Sequence, residues 1–332
     1  MLQNKEGLSK KPGEKQRENG GEHILLKTIL KRALQSIPTL LVVITFTFIL
    51  TRMIPGNPAL TMLGPQAPKE SVEKLEEELG LNKSKGEQYL IYLKQIAKGD
   101  FGRSYSYNQT VVELIKERIP NTLVITMTSL LIALVLGMIV GIVSAVKQCS
   151  ILDYVFMILA LVGVSMPIFW LGLMLIIGFS LHLKWFPSGG DAGWRSLVLP
   201  VITLGTGCMA SITRITRSSM LEVVRQDYIR TAKAKGVSSR VVIYKHALKN
   251  ALIPVVTVVG LQFGSLLGGA VLTESVFSWP GVGTYLVNSI KAKDTPAVLG
   301  CVIIFCICFS IVNLVVDILY AYIDPRIKSK EQ

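Results

Sequence analysis

The chain has 332 residues, half of them hydrophobic, with a mean hydropathy of +0.49 and a net charge of +13. This composition excludes an ordinary soluble domain and indicates a protein that crosses a membrane several times. Nucleic-acid-binding proteins also carry such a charge, but here the basic residues follow the topology expected of a membrane protein. We therefore expect no nucleic-acid partner.

The polar start of the chain, residues 1–29, is mixed in charge and is predicted to be a cytoplasmic tail. The apolar run 33–50 is too long for the core of a signal peptide, and no small-residue cleavage site follows it. It therefore predicts an uncleaved first transmembrane helix. Lys27, Lys31 and Arg32 at its start favour that end inside the cell.

Residues 55–120 form a long polar loop with nine basic and nine acidic side chains, and this loop is predicted to lie outside. Apolar residues at helical spacing predict two helices in it, the first stopped by Gly80 and the second by Gly99. Thr110 and Glu113 have the spacing of a capping box, which predicts the start of a third helix.

Five further apolar runs predict the remaining spans, at 123–146, 155–181, 197–213, 251–272 and 297–322. In the second span, Gly137 and Gly141 have the spacing of a small-residue packing face. Pro167 predicts a kink in the third span, and the fourth is expected to continue as a helix past the membrane. Six spans place both termini in the cytoplasm and the largest basic excess inside.

Three common motifs of nucleotide-binding proteins and hydrolases do not occur in the sequence. The chain contains no Gly-x-x-x-x-Gly-Lys-Ser/Thr, Gly-x-Ser-x-Gly or His-Glu-x-x-His pattern, so we expect no enzyme and no bound cofactor. The histidines His23, His182 and His246 lie far apart and lack a second ligand at metal spacing, so no metal site is expected. The five cysteines have no Cys-x-x-Cys spacing and are interpreted as small buried hydrophobes.

The most basic segment, residues 214–249, carries nine Lys and Arg residues against the two acids Glu222 and Asp227. The spacing of its apolar residues predicts a short amphipathic helix that ends at Gly236, followed by a second helix from about Arg240. Small side chains at Ala232 and Ala234 would let another protein approach the backbone closely. The residues alone leave a second interpretation open, in which the segment contacts anionic lipid.

This segment resembles the cytoplasmic "EAA" loop of bacterial ABC-importer permeases in the oligopeptide, dipeptide and nickel branch. Ala232 matches the last alanine of the family's triplet, Gly236 its glycine and Leu248 the leucine near its end. The chain departs from the general pattern at four positions, and the peptide branch has such replacements: Arg230, Thr231, His246 and Lys249.

Four other stretches resemble the same branch, so that the resemblance covers most of the chain from about Leu30 onward. They are TRMIPGNPA at 51–59, GDFGRSY at 99–105, ESVFSWPGVG at 274–283 and NLVVDILYAYIDPRI at 313–327.

The resemblance implies an all-α integral membrane protein of six transmembrane helices, a type I (MetI-like) importer permease. Its five-helix core would be residues 120–332, and residues 30–119 would be the first helix and external helical loop typical of a B-type subunit. It implies a second homologous permease, two cytoplasmic ATPase chains that hold ATP and Mg, and an extracytoplasmic binding protein.

The cargo implied is a di- or oligopeptide, with nickel or a metal chelate as the alternative. The resemblance further implies that the ATPase chains contact the loop 214–249, at residues drawn from both of its helices: Tyr228, Arg230, Thr231, Ala232, Ala234, Gly236, His246 and Leu248.

Three polar residues in or beside the spans are candidates for a pathway or gate. Glu274, at the outer end of the fifth span, either faces the gate or is an interfacial acid. Asn313 and Asp317 share a face of the sixth span, where they line a pathway or pack a helix, or Asp317 simply pairs with a basic group. A different class of protein, a membrane receptor that binds a ligand on loop 55–120, is disfavoured because no signalling domain is present.

Overall fold

The computed structural model describes residues 34–35, 37–50, 53, 57–107 and 109–323. Within these residues the chain is built from helices joined by loops. In chain order the helices are α1 (Ile37–Leu50), α2 (Pro58–Leu63), α3 (Lys69–Glu78), α4 (Lys85–Ala97), α5 (Val111–Val146), α6 (Ile151–Ser165), α7 (Ile168–His182), α8 (Trp194–Val224), α9 (Asp227–Ala234), α10 (Ser239–Val276), α11 (Val282–Lys291) and α12 (Thr295–Ile323).

Four of the described helices, α5, α8, α10 and α12, are long and apolar enough to cross a membrane. The bent pair α6 and α7 makes a fifth crossing if it is counted as one span, and α1 is the described part of the first predicted span. These segments account for the predicted six-helix membrane fold. The predicted tail 1–29 and the chain end from Asp324 lie outside the described residues.

The third predicted span is not one kinked helix. Its two halves, α6 and α7, meet at an angle of 107°. Met166, between them, is extended with φ −74° and ψ 130°. A proline disfavours helical geometry in the residue before it and has no N–H to donate, so Pro167 ends α6 and begins α7. The prediction of a simple kink is therefore wrong.

Helix α8 is the central helix, because it packs against α5, α6, α7 and α10. As predicted, it runs well past the apolar core to Val224. Its contact with α5 is close: a Cβ added to Gly137 would lie 2.9 Å from Ile212 Cγ2, and one added to Gly141 would lie 2.6 Å from Thr216 Cβ. The predicted small-residue packing face is thus confirmed.

The helix predicted to begin at Thr110 and the second predicted span are one helix, α5, with Pro120 inside it. Thr110 Oγ1 accepts the Glu113 N–H at 3.4 Å, as expected of the cap. Just beyond the proline, Asn121 and Thr122 form hydrogen bonds with the segment 279–282. The boundary at 119/120 therefore lies within a continuous helix, and the division into domains stays a prediction.

The long polar loop contains three helices, α2, α3 and α4, of which α2 was not predicted. Gly80 and Gly99, just beyond the ends of α3 and α4, have φ of +67° and +76°, which confirms the predicted stops. Helix α4 packs on α1, since the Phe48 ring centroid lies 5.3 Å from that of Tyr89 and 5.7 Å from that of Tyr92.

Candidate functional site

The basic segment forms a short helix, α9, that is fixed to the end of the helical bundle. Ile229 is 0% exposed and lies in a buried cluster with Met220 of α8 and Val242 of α10. The Asn250 side chain donates to the Tyr228 hydroxyl at 2.7 Å. The predicted amphipathic helix is therefore present, and its apolar face is used by the chain itself.

The C-terminal end of α9 is closed by two backbone hydrogen bonds that define a Schellman motif. Gly236 N donates to Lys233 O at 3.0 Å, and Val237 N donates to Ala232 O at 3.3 Å. Gly236 has φ +79°, a conformation that strains any residue with a Cβ. The predicted end of the helix at Gly236 is thus confirmed, and the turn there requires a glycine.

The predicted contact residues divide into two groups. Arg230, Thr231, Ala234, Gly236 and Tyr228 are exposed. Ala232, His246 and Leu248 are half-buried. Of these, Ala232 and Leu248 pack against the buried cluster that contains Ile229. Ala234 is therefore the more exposed alanine of α9, while Ala232 is partly covered by the chain itself, and the contact of either with another protein stays a prediction.

Charge on this surface is strongly positive. Eight of the nine Lys and Arg residues in the segment 214–249 are exposed. The ninth, Arg217, is turned inward and forms an ion pair with Asp153 of α6. The one ion pair described on α9 itself, Arg230 with Asp227 at 3.7 Å, is solvent-exposed and contributes little.

Arg217 and Asp153 belong to a polar cluster that joins three helices. Arg217 Nε donates to Asp153 Oδ1 at 2.7 Å, and Arg217 Nη2 donates to Oδ2 at 2.8 Å. Ser144 of α5 also donates to this carboxylate, and so does Cys149 N, at 3.0 Å. Sequence reasoning missed the cluster, because 64 residues separate the acid from the arginine.

A second buried carboxylate, Glu274, lies near the end of α10 away from the basic segment. It is 0% exposed, so it is a buried acid and not a solvent-facing one. Its Oε2 accepts the N–H of Gly283 at 2.7 Å and of Thr284 at 3.1 Å, both in the first turn of α11. Glu274 therefore joins α10 to α11.

A third buried carboxylate, Asp294, fastens the polar loop to the start of α12. It accepts hydrogen bonds from the Ser104 hydroxyl, from Ser106 N at 3.2 Å and from Ala297 N at 3.3 Å. Nearby, Tyr285 packs under the Arg118 guanidinium at 4.9 Å, and burial raises the pKa of Tyr285 to about 12. Ser104 lies in the stretch GDFGRSY, whose sequence gave no indication of this partner.

The remaining candidates stay separate from these clusters. Asn313 is half-buried on α12, and the side chain of Asp317, one turn further, lies outside what the structure describes. Among the described residues, no group of three His, Cys, Asp or Glu side chains is arranged to hold a metal ion.

The apolar helices of the bundle and its exposed basic segment define an integral membrane protein. A family model described as "binding-protein-dependent transport system inner membrane component" matches residues 133–329, and a model for the N-terminal part of such components matches residues 25–126. The first match covers more than half of the 332 residues. The chain belongs to this family, which makes it a multi-pass inner membrane protein.

Curated relatives match over their whole length. The dipeptide transport system permease protein DppB of Alkalihalophilus pseudofirmus is 47% identical, over 92% of this chain and 100% of that protein. The glutathione transport system permease protein GsiC of Escherichia coli (strain K12) is 42% identical, over 92% of this chain and 100% of that protein.

Solved structures show a similar fold at low identity. A chain from the inward-facing MetNI methionine ABC transporter has a TM-score of 0.52 at 18% identity, covering 64% of this chain and 97% of that chain. A chain from an amino acid ABC transporter with histidines has a TM-score of 0.50 at 15% identity, covering 65% and 94%. These likenesses confirm the predicted MetI-like fold.

Proposed function

We propose that this chain is the permease subunit of an ATP-driven, binding-protein-dependent importer of di- and oligopeptides, and that it forms the translocation pathway with a second, homologous permease. The peptide cargo is inferred from the match to a dipeptide permease over the whole length of that protein. The match to a glutathione permease supports the same inference. Both named cargoes are short peptides.

ATP and Mg are bound by separate chains in this proposal, and two ATPase subunits dock on the α9 helices of the two permeases. Three features support α9 as the contact. Its inner face is anchored by Ile229, so that a force on it reaches α8 and α10 directly. Its outer face presents the small side chain of Ala234, which suits docking in a groove. The exposed cations around it favour an acidic partner surface.

Contact with anionic lipid is the competing explanation for the same positive surface. Lipid attraction depends on the summed charge, at about 1 kcal/mol for each Lys or Arg near the surface. One glutamate among eight exposed cations therefore weakens lipid attraction only by about 1 kcal/mol. Protein docking is sensitive to this change, because a carboxylate at Ala234 would be desolvated in a groove without an assured partner.

A matched pair of substitutions separates these explanations. Ala234 and Ala97 are each exposed and each the last residue of a helix, α9 and α4. A glutamate opposes the helix dipole equally in both places. We expect Ala234→Glu to abolish co-purification of the ATPase chains and Ala97→Glu to leave it unchanged. Equal co-purification in both variants would contradict docking on α9.

The proposed orientation places α9 in the cytoplasm, because its exposed cations obey the positive-inside rule. Both termini then lie in the cytoplasm, while α2, α3, α4 and the Glu274 end of α10 lie outside, where a binding protein would deliver the cargo. Alternating access follows if ATP binding draws the α9 helices of the two permeases together.

The cargo is tested by uptake in a deletion strain that carries this gene on a plasmid. We expect the gene to restore accumulation of labelled dipeptide and to leave nickel accumulation unchanged. Restored nickel uptake without peptide uptake would overturn the peptide assignment in favour of a metal or metal chelate.

A further inference from the structure

We infer that Glu274 is a positioning residue: its carboxylate locks the segment 277–291 to the end of α10 and so holds the outer end of the pathway closed between transport cycles. The inference rests on the proposed function for its orientation and cargo. Its structural part, the attachment of α11 through a buried carboxylate, stands on the geometry described next.

The carboxylate acts as an N-terminal cap supplied by another helix. The first N–H groups of a helix have no partner within it, and a negative charge is favourable at that end. The residue before α11 is Gly281, which has no side chain with which to cap the helix. Gly283 N and Thr284 N donate instead to Glu274 Oε2, at 2.7 and 3.1 Å. The attachment is therefore specific to an acceptor at this position.

The turn between the two helices is held from the other side by α5. Trp279 N donates to Glu274 O at 2.8 Å, and the buried Trp279 ring donates through Nε1 to Asn121 O at 3.2 Å. Val282 N donates to Thr122 Oγ1 at 2.9 Å. The segment thus bridges α10 and α5, and Glu274 supplies the side-chain acceptor on the α10 side.

The carboxylate also explains two glycines. A Cβ added to Gly281 would lie 2.3 Å from both Glu274 carboxylate oxygens, and one added to Gly283 would lie 2.8 Å from Oε2 and 2.6 Å from Val271 Cα. Only glycine leaves room for the carboxylate between the turn and α10. Glu274, Gly281 and Gly283 are therefore all needed for the same contact between the turn and α10.

Helix α11 lies where several helices meet, which is why its position matters to the pathway. Val282 and Tyr285 are buried in a cluster with Leu114 of α5 and Cys301 of α12. An opening that separates α5, α10 and α12 must move α11. Between α9 and Glu274 runs the single helix α10, which is about 57 Å long at 1.5 Å per residue. A displacement of α9 can therefore reach α11 through one continuous helix.

The test compares two substitutions of Glu274 in the complete complex, purified and placed in vesicles loaded with labelled alanyl-alanine. Glu274→Gln keeps a carbonyl oxygen that can accept the two amide hydrogen bonds at the position of Oε2. Glu274→Leu has a similar volume but no acceptor. Without ATP, we expect about a tenfold rise in peptide efflux for Glu274→Leu and near wild-type efflux for Glu274→Gln.

A second readout reports the attachment without transport. Hydrogen exchange of the Gly283 and Thr284 amides should accelerate about tenfold in Glu274→Leu and stay slow in Glu274→Gln. Gly281→Ala, which crowds the carboxylate while leaving Glu274 in place, should accelerate the same amides. It should have no added effect in a Glu274→Ala background, where the crowding group is gone.

These outcomes separate the two proposals. Slow exchange and low efflux in Glu274→Leu would overturn the positioning role. Fast exchange with unchanged efflux would show that Glu274 attaches α11 but does not hold a gate closed, which also contradicts the inference. If the wild-type complex transports no peptide while the exchange results hold, the proposed cargo fails and the attachment does not.

Discussion

Replacing Arg217 by methionine should destabilise the folded protein more than any exposed basic substitution. The change leaves Asp153, which is 2% exposed, with the Ser144 hydroxyl and the Cys149 N–H but without its cation. Breaking a buried ion pair by removing one partner costs about 3–5 kcal/mol. We expect the lower part of this range, because two hydrogen-bond donors remain and the Arg217 side chain is itself 26% exposed.

A double substitution distinguishes an unpaired charge from lost packing. Asp153→Asn removes the charge and keeps a group that can accept from Ser144. In the Arg217→Met background it should restore at least half of the lost stability, which is a coupling of about 1.5 kcal/mol or more. Arg214→Met is the control, since Arg214 is exposed on the same helix.

Thermal inactivation of the purified protein is the assay, with heating rate held constant because unfolding of such proteins is irreversible. At about 2.1 cal/mol/K of unfolding entropy per residue, a loss of about 3 kcal/mol in a chain of 332 residues corresponds to a fall in apparent Tm of about 4 °C. Arg214→Met should shift it by less than about 2 °C. The reasoning is refuted if Arg217→Met matches this control, or if the double variant is no more stable than Arg217→Met alone.

Three further outcomes are expected. A reporter fused after Lys235 should report the cytoplasm and one within 80–86 the outside, and the six-span topology fails if both report the same side. Gly236→Asp should abolish ATP-driven uptake while Gly99→Asp does not, although both glycines have similar positive φ and open space for a side chain; equal uptake in the two variants would remove the special role of the α9 turn. Purified chain should retain no zinc or nickel after chelator treatment, as measured by metal analysis, and one-to-one retention would contradict this and strengthen the nickel alternative.

The positions of helices could be predicted from the sequence wherever residues close together in the chain determine them. Apolar runs long enough for a membrane, and glycines that need positive φ at Gly80, Gly99 and Gly236, each act within a few residues. For the same reason the Gly137 and Gly141 packing face was predictable, because small residues one turn apart have few other uses in a span.

Contacts between segments that lie far apart in the chain could not be predicted from the sequence. The partners of Asp153, Glu274 and Asp294 depend on how helices pack, and the sequence places no constraint on which arginine or backbone amide meets which acid. The sharp bend at Pro167 was underestimated because a proline predicts an interruption without fixing the angle, which the neighbouring helices set. The partial burial of Ala232 could not be predicted, because helical spacing alone does not say which protein an amphipathic face packs on.

The central claim is that ATP hydrolysis on separate chains drives peptide uptake through this chain by way of α9. Its most direct test is ATP-dependent accumulation of labelled alanyl-alanine in vesicles containing the complete complex, with peptide-stimulated ATP hydrolysis measured in parallel. The account predicts that wild type and Ala97→Glu accumulate peptide and that Ala234→Glu neither accumulates it nor responds to it with ATP hydrolysis. Wild-type coupling in Ala234→Glu would contradict the account.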